Sequence, residues 1–240
     1  MKYEMHDIAA AFSLLTRLPV PVDHARAGER GAAAAWAFPL VGAALGLAAG
    51  TLGWALLSWG VSAGMVAVFV IAAQVVMTGA MHEDGLADMA DGMGGFTVEK
   101  RLEIMKDSRI GAYGAIALAL ALLARQAGIS EITAAEMPLA LAALGAGSRA
   151  LMVAVMAWLP NARAGGLSAT AGKPDALPAL IIGLLASLLA FGWAGFWIFA
   201  GMALAVAMVA LIAKARFGGQ TGDILGASQQ SAEIIGLALL

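Results

Sequence analysis

A run without a single charged side chain decides the fold of this chain: LPALIIGLLASLLAFGWAGFWIFAGMALAVAMVALIA at residues 177–213. A helix that crosses the hydrocarbon core of a bilayer needs about 20 mostly apolar residues. The run is too long for one such helix, and the segment Gly192–Gly195 offers a place for a turn. These residues therefore predict two membrane-spanning helices joined by a short hairpin.

The rest of the chain has the same character, with 61% hydrophobic and only 12% charged residues. A soluble domain is about half apolar and roughly one quarter charged, so the excess apolar surface is expected to face lipid. The apolar stretches do not alternate as the strands of a membrane barrel would. We predict an all-α polytopic membrane helix bundle, a single membrane-embedded domain over residues 1–240. Its transmembrane helices, about seven in number, are expected at 34–58, 62–81, 110–128, 137–159, 177–193, 196–213 and 224–240.

A shorter apolar segment runs from Ile8 to Leu15 and ends before Pro19 and Pro21. It is too short to cross a bilayer, so we predict a short N-terminal interfacial or re-entrant helix. Lysine and arginine are concentrated before the first span and in alternate loops, with Arg125 at the membrane edge of an opposite loop. Because basic loops stay on the cytoplasmic side, the N-terminus and the charged face are predicted to be cytoplasmic.

The densest polar cluster is HEDGLADMADG at residues 82–92. On a helix, with about 100° per residue, Asp84, Asp88 and Asp91 share one face. Carboxylates this close repel one another unless a cation lies between them. The chain has no cysteine, and oxygen ligands suit Mg²⁺. A solvated acidic face is the alternative, but acids at membrane depth are costly and usually functional, so we favour a Mg²⁺ site.

Two further segments are suited to binding anionic oxygens. Lys106, Ser108 and Arg109 precede the helix predicted from residue 110, and helix N-termini attract phosphate. Ordinary cytoplasmic anchoring is the alternative; it explains Lys100 and Arg101 well enough, but it explains Ser108 and Gly111 less well. The second segment is Gly219-Gln220-Thr221-Gly222-Asp223. Its glycines would let backbone amides approach a phosphate, and its aspartate is predicted to cap the next helix, although a plain turn and cap would look the same.

Arg149 lies in the middle of the stretch at 137–159. A charge at the centre of a spanning helix costs about 2.5–3.5 kcal/mol on insertion scales. Arg149 must therefore pair with an acid or face a wet cavity. Glu233, in the polar stripe of the last stretch, is the available partner, and substrate binding is the alternative.

Five blocks of residues occur in one order along nearly the whole chain. They are FSLLTRLPVP at 12–21, HEDGLADMADG at 82–92, MKDSRIG at 105–111, Ala162-Arg163 with Gly166-Leu167, and GQTGDILG at 219–226 with Glu233. Together they resemble the cobalamin synthase family, the adenosylcobinamide-GDP ribazoletransferases. The acidic block and the Gly-Asp block make the resemblance specific in combination.

The resemblance implies a Mg²⁺-dependent enzyme of the bacterial inner membrane that acts late in vitamin B12 assembly. It would join adenosylcobinamide-GDP to α-ribazole or α-ribazole 5′-phosphate, releasing GMP and giving adenosylcobalamin or its 5′-phosphate. The residues implied to hold the metal at the diphosphate are Asp84, Asp88 and Asp91. Those implied to neutralise developing charge are Lys106, Arg109 and Arg163. The candidate catalytic bases are Asp91 and His82.

Two other functions fit parts of the sequence. A CDP-alcohol phosphatidyltransferase also uses several aspartates on membrane helices, but its motif has Ala-Arg where this chain has Ala87-Asp88. A cation transporter could use Arg149 and Glu233 along a pathway, but we find no internal repeat of the kind that transporters often show. Membrane lipid is an expected partner, nucleic acid is not, and oligomerisation stays open.

Overall fold

Helices make up the regular structure of the residues that the structure describes. The computed structural model describes residues 3–163 and 172–240, which leaves Gly166-Leu167 outside the described residues. In chain order the helices are α1 (Met5–Leu15), α2 (His24–Arg30), a 3₁₀ helix (Gly31–Ala37), α3 (Phe38–Ser58), α4 (Ala63–Thr78), α5 (Met81–Gly92), α6 (Val98–Ile104), α7 (Ala112–Ser130), α8 (Met137–Trp158), α9 (Leu177–Phe191), α10 (Ala194–Phe217) and α11 (Gly222–Ala238). The prediction of an all-α fold is confirmed.

Four described helical segments are long and apolar enough to cross a membrane: α7, α8, α10, and the continuous segment His24–Ser58 that α2, the 3₁₀ helix and α3 form together. A fifth crossing results if α4 and α5, which meet at 89°, are taken together. The multi-pass membrane class is therefore supported, but the predicted count of seven is not confirmed. The helices α4, α9 and α11 have 16, 15 and 17 residues, whereas a full crossing needs about 20.

The helix α8 forms the centre of the bundle, with most of its side chains buried. The helix α3 runs antiparallel to it, because Gly42 lies against Gly145 and Gly46 against Leu141. A Cβ added at Gly42 would lie 1.9 Å from the carbonyl oxygen of Gly145. Small residues allow this close approach in lipid, where packing rather than water exclusion holds helices together.

This contact gives a first prediction. We expect Gly42→Ala to lower the thermal unfolding temperature in detergent by roughly 4–8 °C, because the new methyl group would overlap backbone atoms. Gly28→Ala is the matched control, since an added Cβ at Gly28 meets nothing within 4 Å. An unchanged unfolding temperature in Gly42→Ala, with a stable control, would contradict the close α3–α8 contact.

The predicted N-terminal helix is present as α1. Its Asp7 carboxylate accepts hydrogen bonds from the Arg30 guanidinium at 2.7 Å and from the Trp36 indole at 2.8 Å. These bonds attach α1 to the segment that leads into α3. Met5 and Leu14 leave apolar surface exposed on α1, which is compatible with an interfacial position; that position stays a prediction.

A sharp bend separates α4 from α5. It is made by two successive residues in the left-handed region, Gly79 (φ 67°) and Ala80 (φ 60°), a conformation that residues other than glycine seldom adopt. Their backbone N–H groups donate to the carbonyls of Val76 and Val75, which satisfies the last turn of α4. The bend turns the acidic helix α5 across the end of the bundle, where it can meet the ends of other helices.

One end of the bundle collects the acidic block and its neighbours. Here α5 meets the start of α11 where Gly85 lies against Asp223, and it meets the end of α10 where Gly92 lies against Phe217. The guanidinium of Arg101 donates to a carbonyl at the end of α10, at 3.1 Å. We call this region, residues 81–111 with 160–163 and 217–223, the acidic end. The described parts of three of the predicted basic loops, around residues 82–109, 160–163 and 214–223, therefore meet here.

Candidate active site

Two of the three predicted metal-binding carboxylates face an open cavity at the acidic end. Asp84 is exposed and Asp88 is half-buried, and both line a cavity of about 330 Å³. They are four residues apart on α5, so they project from the same face of that helix. The other lining residues are Ala87, Met105, Lys106, Asp107, Ser108, Arg109, Ile110 and Leu118. Acids from α5 thus lie opposite the loop between α6 and α7.

That loop supplies cations and a hydroxyl to the cavity. Lys106, Ser108 and Arg109, which the sequence predicts to bind phosphate, all line it beside Asp84. Arg109 forms an ion pair with Asp107, with 2.6 Å between Nη2 and Oδ2. Hydrogen bonds from the side chain and backbone of Arg109 lower the pKa of Asp107 to about 2. Asp107 is not among the residues predicted from the sequence, although its place between two cations was a signal for such a pair.

Asp91 has a different environment from the other two aspartates. Its carboxylate accepts hydrogen bonds from the backbone N–H groups of Gly111 at 2.7 Å and Gly114 at 2.8 Å, at the start of α7. A Cβ at either glycine would lie within 2.4 Å of a carboxylate oxygen. Asp91 therefore joins α5 to the positive end of α7. Its metal-binding and catalytic roles stay predictions, and the described residues hold no preformed group of three His, Asp or Glu arranged around a metal position.

His82, the other candidate base, lies on the buried side of α5. It is 2% exposed and its backbone packs against Gly226 of α11. Its Nε2 atom has no hydrogen-bond partner within residues 3–163 and 172–240. His82 does not line the cavity, so its catalytic role stays a prediction that the geometry does not support.

A further carboxylate approaches the acids of α5. Gly85 allows the approach, because a Cβ there would lie 2.6 Å from the backbone oxygen of Asp223. Asp223 is close enough to Asp84 and Asp88 for electrostatic repulsion among all three. Arg163 offsets part of this repulsion, with its Nη2 atom 3.7 Å from Asp223 Oδ2. The predicted residues Asp223 and Arg163 therefore lie at the acidic end with the metal candidates.

The predicted cap of the last helix is wrong. Thr221 is the N-cap of α11, and its hydroxyl accepts a hydrogen bond from the backbone N–H of Ile224 at 3.3 Å. Asp223 lies in the first helical turn, where its Oδ2 atom accepts from the Thr221 hydroxyl at 3.2 Å. Thr221 takes the cap because its backbone is extended, as an N-cap requires, whereas residue 223 is already helical.

Gly219 and Gln220 join their loop to the end of α8. The backbone N–H of Gln220 donates to the Pro160 carbonyl at 2.8 Å, and that of Ala162 donates to the Gln220 carbonyl at 2.9 Å. A Cβ at Gly219 would lie 2.1 Å from the Pro160 oxygen, so only glycine permits this contact. The two residues thereby hold Arg163 beside α11, and their predicted contact with phosphate stays a prediction.

Arg149 pairs with Glu233 inside the bundle. Its Nη1 atom donates to Glu233 Oε1 and, at 3.0 Å, to the hydroxyl of Ser148. Both charged side chains are buried. This ion pair is one of the two alternatives that the sequence left open for Arg149. The other, substrate binding, stays a prediction, since Arg149 does not line the cavity.

Arg125 was predicted at the membrane edge of a loop, and this placement is wrong. It lies in α7 and is 2% exposed. Its guanidinium donates to Glu83 Oε1 at 2.8 Å and to Gln74 Oε1 at 2.7 Å. The signal for this network was present in the sequence, because Gln74 and Arg125 interrupt otherwise apolar helices, where polar groups usually face the bundle interior.

Comparison with known proteins identifies the family of this chain. The profile of the cobalamin-5-phosphate synthase family matches residues 7–240. The chain belongs to this family. No solved structure matches it.

Curated relatives of this cobalamin-5-phosphate synthase family member are similar to it along nearly their whole length. An adenosylcobinamide-GDP ribazoletransferase from Sinorhizobium sp is 41% identical, covering 98% of this chain and 95% of the relative. The transferase of the same name from Azorhizobium caulinodans is 42% identical, covering 95% and 92%. That from Bradyrhizobium diazoefficiens is 41% identical, covering 95% and 90%. The resemblance seen in the sequence is confirmed, and neither a phosphatidyltransferase nor a transporter is favoured.

Proposed function

We propose that this protein joins adenosylcobinamide-GDP to α-ribazole or α-ribazole 5′-phosphate and releases GMP. Its family and the names of its relatives support this reaction. The observation on the molecule itself that carries the proposal is the cavity in which Asp84 and Asp88 lie opposite Lys106, Ser108 and Arg109. Transfer of a phosphoryl group depends mainly on positioning and on stabilising negative charge, and this cavity offers groups for both.

The reaction exchanges one phosphorus–oxygen bond for another. A ribose hydroxyl of α-ribazole attacks the phosphorus on the cobinamide side of the diphosphate. The bond from that phosphorus to the bridging oxygen breaks, and its electron pair leaves with GMP. The hydroxyl proton passes to a base. Lys106 and Arg109 are placed to stabilise the charge that grows on the phosphoryl oxygens.

The carboxylates of the cavity fit a divalent cation. Asp84 and Asp88 offer the hard oxygen ligands that Mg²⁺ prefers, and a magnesium site commonly leaves other positions to water and substrate phosphates. The mutual repulsion of these carboxylates also favours a cation between them. Bound there, Mg²⁺ would polarise the phosphoryl group and neutralise part of its charge. We therefore include Mg²⁺ dependence in the proposal, with Asp84 and Asp88 as ligands and Asp223 nearby.

The reaction itself is the first test. Purified protein with Mg²⁺, adenosylcobinamide-GDP and α-ribazole is expected to release GMP and form adenosylcobalamin. With α-ribazole 5′-phosphate it should form the 5′-phosphate of adenosylcobalamin. With CDP-diacylglycerol and glycerol 3-phosphate it should release no CMP. Absence of GMP with both ribazole acceptors, from protein shown to be folded, would refute the proposal.

We also propose that the acidic end faces the cytoplasm of a bacterial inner membrane. The basic residues at this end support the orientation. A cysteine at Ser62, exposed between α3 and α4, should react with a membrane-impermeant maleimide added to intact spheroplasts. A cysteine at Lys100, exposed on α6, should react only after permeabilisation. The chain has no native cysteine to interfere, and labelling of Lys100→Cys in sealed spheroplasts would reverse the orientation.

A further inference from the structure

One buried arginine connects four helices. Arg125 on α7 donates to Glu83 on α5 at 2.8 Å, to Gln74 on α4 at 2.7 Å and to Gln230 on α11 at 3.2 Å. Gln230 also donates to Glu83 Oε1, at 3.0 Å. A guanidinium has five donors in a rigid planar fork, so these bonds specify the relative orientation of the helices more strictly than a lysine would.

Glu83 directly precedes Asp84 on α5. Successive residues of a helix differ by about 100°, which lets Glu83 point into the bundle while Asp84 faces the cavity. Later in the same helix, after Asp88, Asp91 accepts hydrogen bonds from backbone N–H groups at the start of α7. The segment that carries Asp84 and Asp88 is thus attached to α7 both before and after these residues.

The helix α5 depends on such attachments. It has 12 residues, follows a sharp bend and carries several acids on one short segment. Isolated helices of this length are marginal, and repulsion between Asp84 and Asp88 disfavours the close spacing that a shared cation needs. The contacts of Glu83 with Arg125 and Gln230, on a different face of α5, fix this segment without occupying the cavity.

We propose that Arg125 is a positioning residue: through Glu83 it holds α5 in the orientation that lets Asp84 and Asp88 share one divalent cation. This inference rests on the proposed function, because it takes these two aspartates as metal ligands. Arg125 itself does not line the cavity, so its effect on metal affinity would be indirect.

Mn²⁺ binding tests the proposal apart from catalysis. The free ion is measured by electron paramagnetic resonance during titration of purified protein in detergent. We expect Arg125→Met to bind Mn²⁺ about tenfold more weakly than the wild type, the size of effect seen when groups supporting metal ligands are removed. Arg30→Met is the matched control, because it also takes the arginine from a buried carboxylate, that of Asp7, and its ion pairs with Asp7 and Glu4 do not involve α5. It should lose thermal stability but keep the Mn²⁺ affinity of the wild type.

A second variant separates positioning from folding. Arg125→Met leaves Glu83 buried without its cation, which can prevent folding. The double variant Arg125→Met with Glu83→Met removes both charges, so we expect it to regain thermal stability but not Mn²⁺ affinity. Wild-type Mn²⁺ affinity in the folded double variant would overturn the positioning role of Arg125, but it would not contradict the metal site. Failure of the wild type to bind Mn²⁺ would instead overturn the metal site on which both proposals depend.

Discussion

Asp88→Asn is expected to slow GMP release by about 1,000-fold, because a metal site contributes several kcal/mol to the transition state and each 1.36 kcal/mol is a factor of ten. Asp84→Asn should have an effect of the same order. Both carboxylates line the cavity from one face of α5, and asparagine keeps their size while removing the charge that a cation needs. The measurement is the rate of GMP release from adenosylcobinamide-GDP at saturating Mg²⁺.

The control for these variants is Glu103→Gln. Glu103 lies on the exposed surface of α6, pairs with Lys100 at 3.0 Å and does not line the cavity. Glu103→Gln should keep wild-type activity. Both aspartate variants should unfold at a temperature no lower than that of the wild type, because removing one charge relieves the repulsion between Asp84 and Asp88. Full activity of folded Asp84→Asn or Asp88→Asn at saturating Mg²⁺ would contradict the assignment of metal ligands.

Arg149→Met is expected to cost about 3–5 kcal/mol of unfolding free energy, because it leaves Glu233 buried without its principal cation. Glu233→Gln should also destabilise the protein, since it removes the charge that faces Arg149. Glu233 keeps a longer contact with Arg125, at 3.7 Å, which should limit the loss in Arg149→Met. Unfolding is measured in mixed detergent micelles.

The double variant distinguishes an ion pair from two independent residues. Arg149→Met combined with Glu233→Gln should recover part of the stability lost in the single variants, because neither charge is then left alone in the bundle. Strictly additive losses would contradict the pairing. A stable Arg149→Met that binds adenosylcobinamide-GDP poorly would favour the substrate role that the sequence left open.

The acids and the cations of the cavity could be predicted because each group lies on one short segment. Asp84 and Asp88 are four residues apart, so helical periodicity alone places them together. Lys106, Ser108 and Arg109 follow one another in a loop, and the order of spans predicts that this loop shares an end of the bundle with the acids. The structure agrees on both points.

The surroundings of Asp91 and His82 could not be predicted by the same reasoning, and their proposed roles stay predictions. Helical periodicity places Asp91 on the same face as Asp88. However, the start of α7 approaches that side of α5, and its backbone N–H groups donate hydrogen bonds to the Asp91 carboxylate. Histidine is a common catalytic base, yet α11 covers His82 because Gly226 permits close packing of the two helices. In both cases a neighbouring helix decides what the side chain contacts, and the spacing of residues along one helix carries no information about that neighbour.

The sequence by itself determined that the chain is a helical membrane protein, that its charges gather at one end and that it resembles cobalamin synthases. These properties follow from the length of the apolar segments, from the distribution of lysine and arginine along the chain, and from short local motifs. Only the tertiary structure decided that Arg125 joins Glu83 and Gln74, and that Thr221 rather than Asp223 caps α11. The physical reason is that hydrogen bonds and ion pairs form over about 3 Å. At that range, the partner of a polar side chain depends on the angles at which helices cross, on the bends between helices and on the backbone angles of single residues.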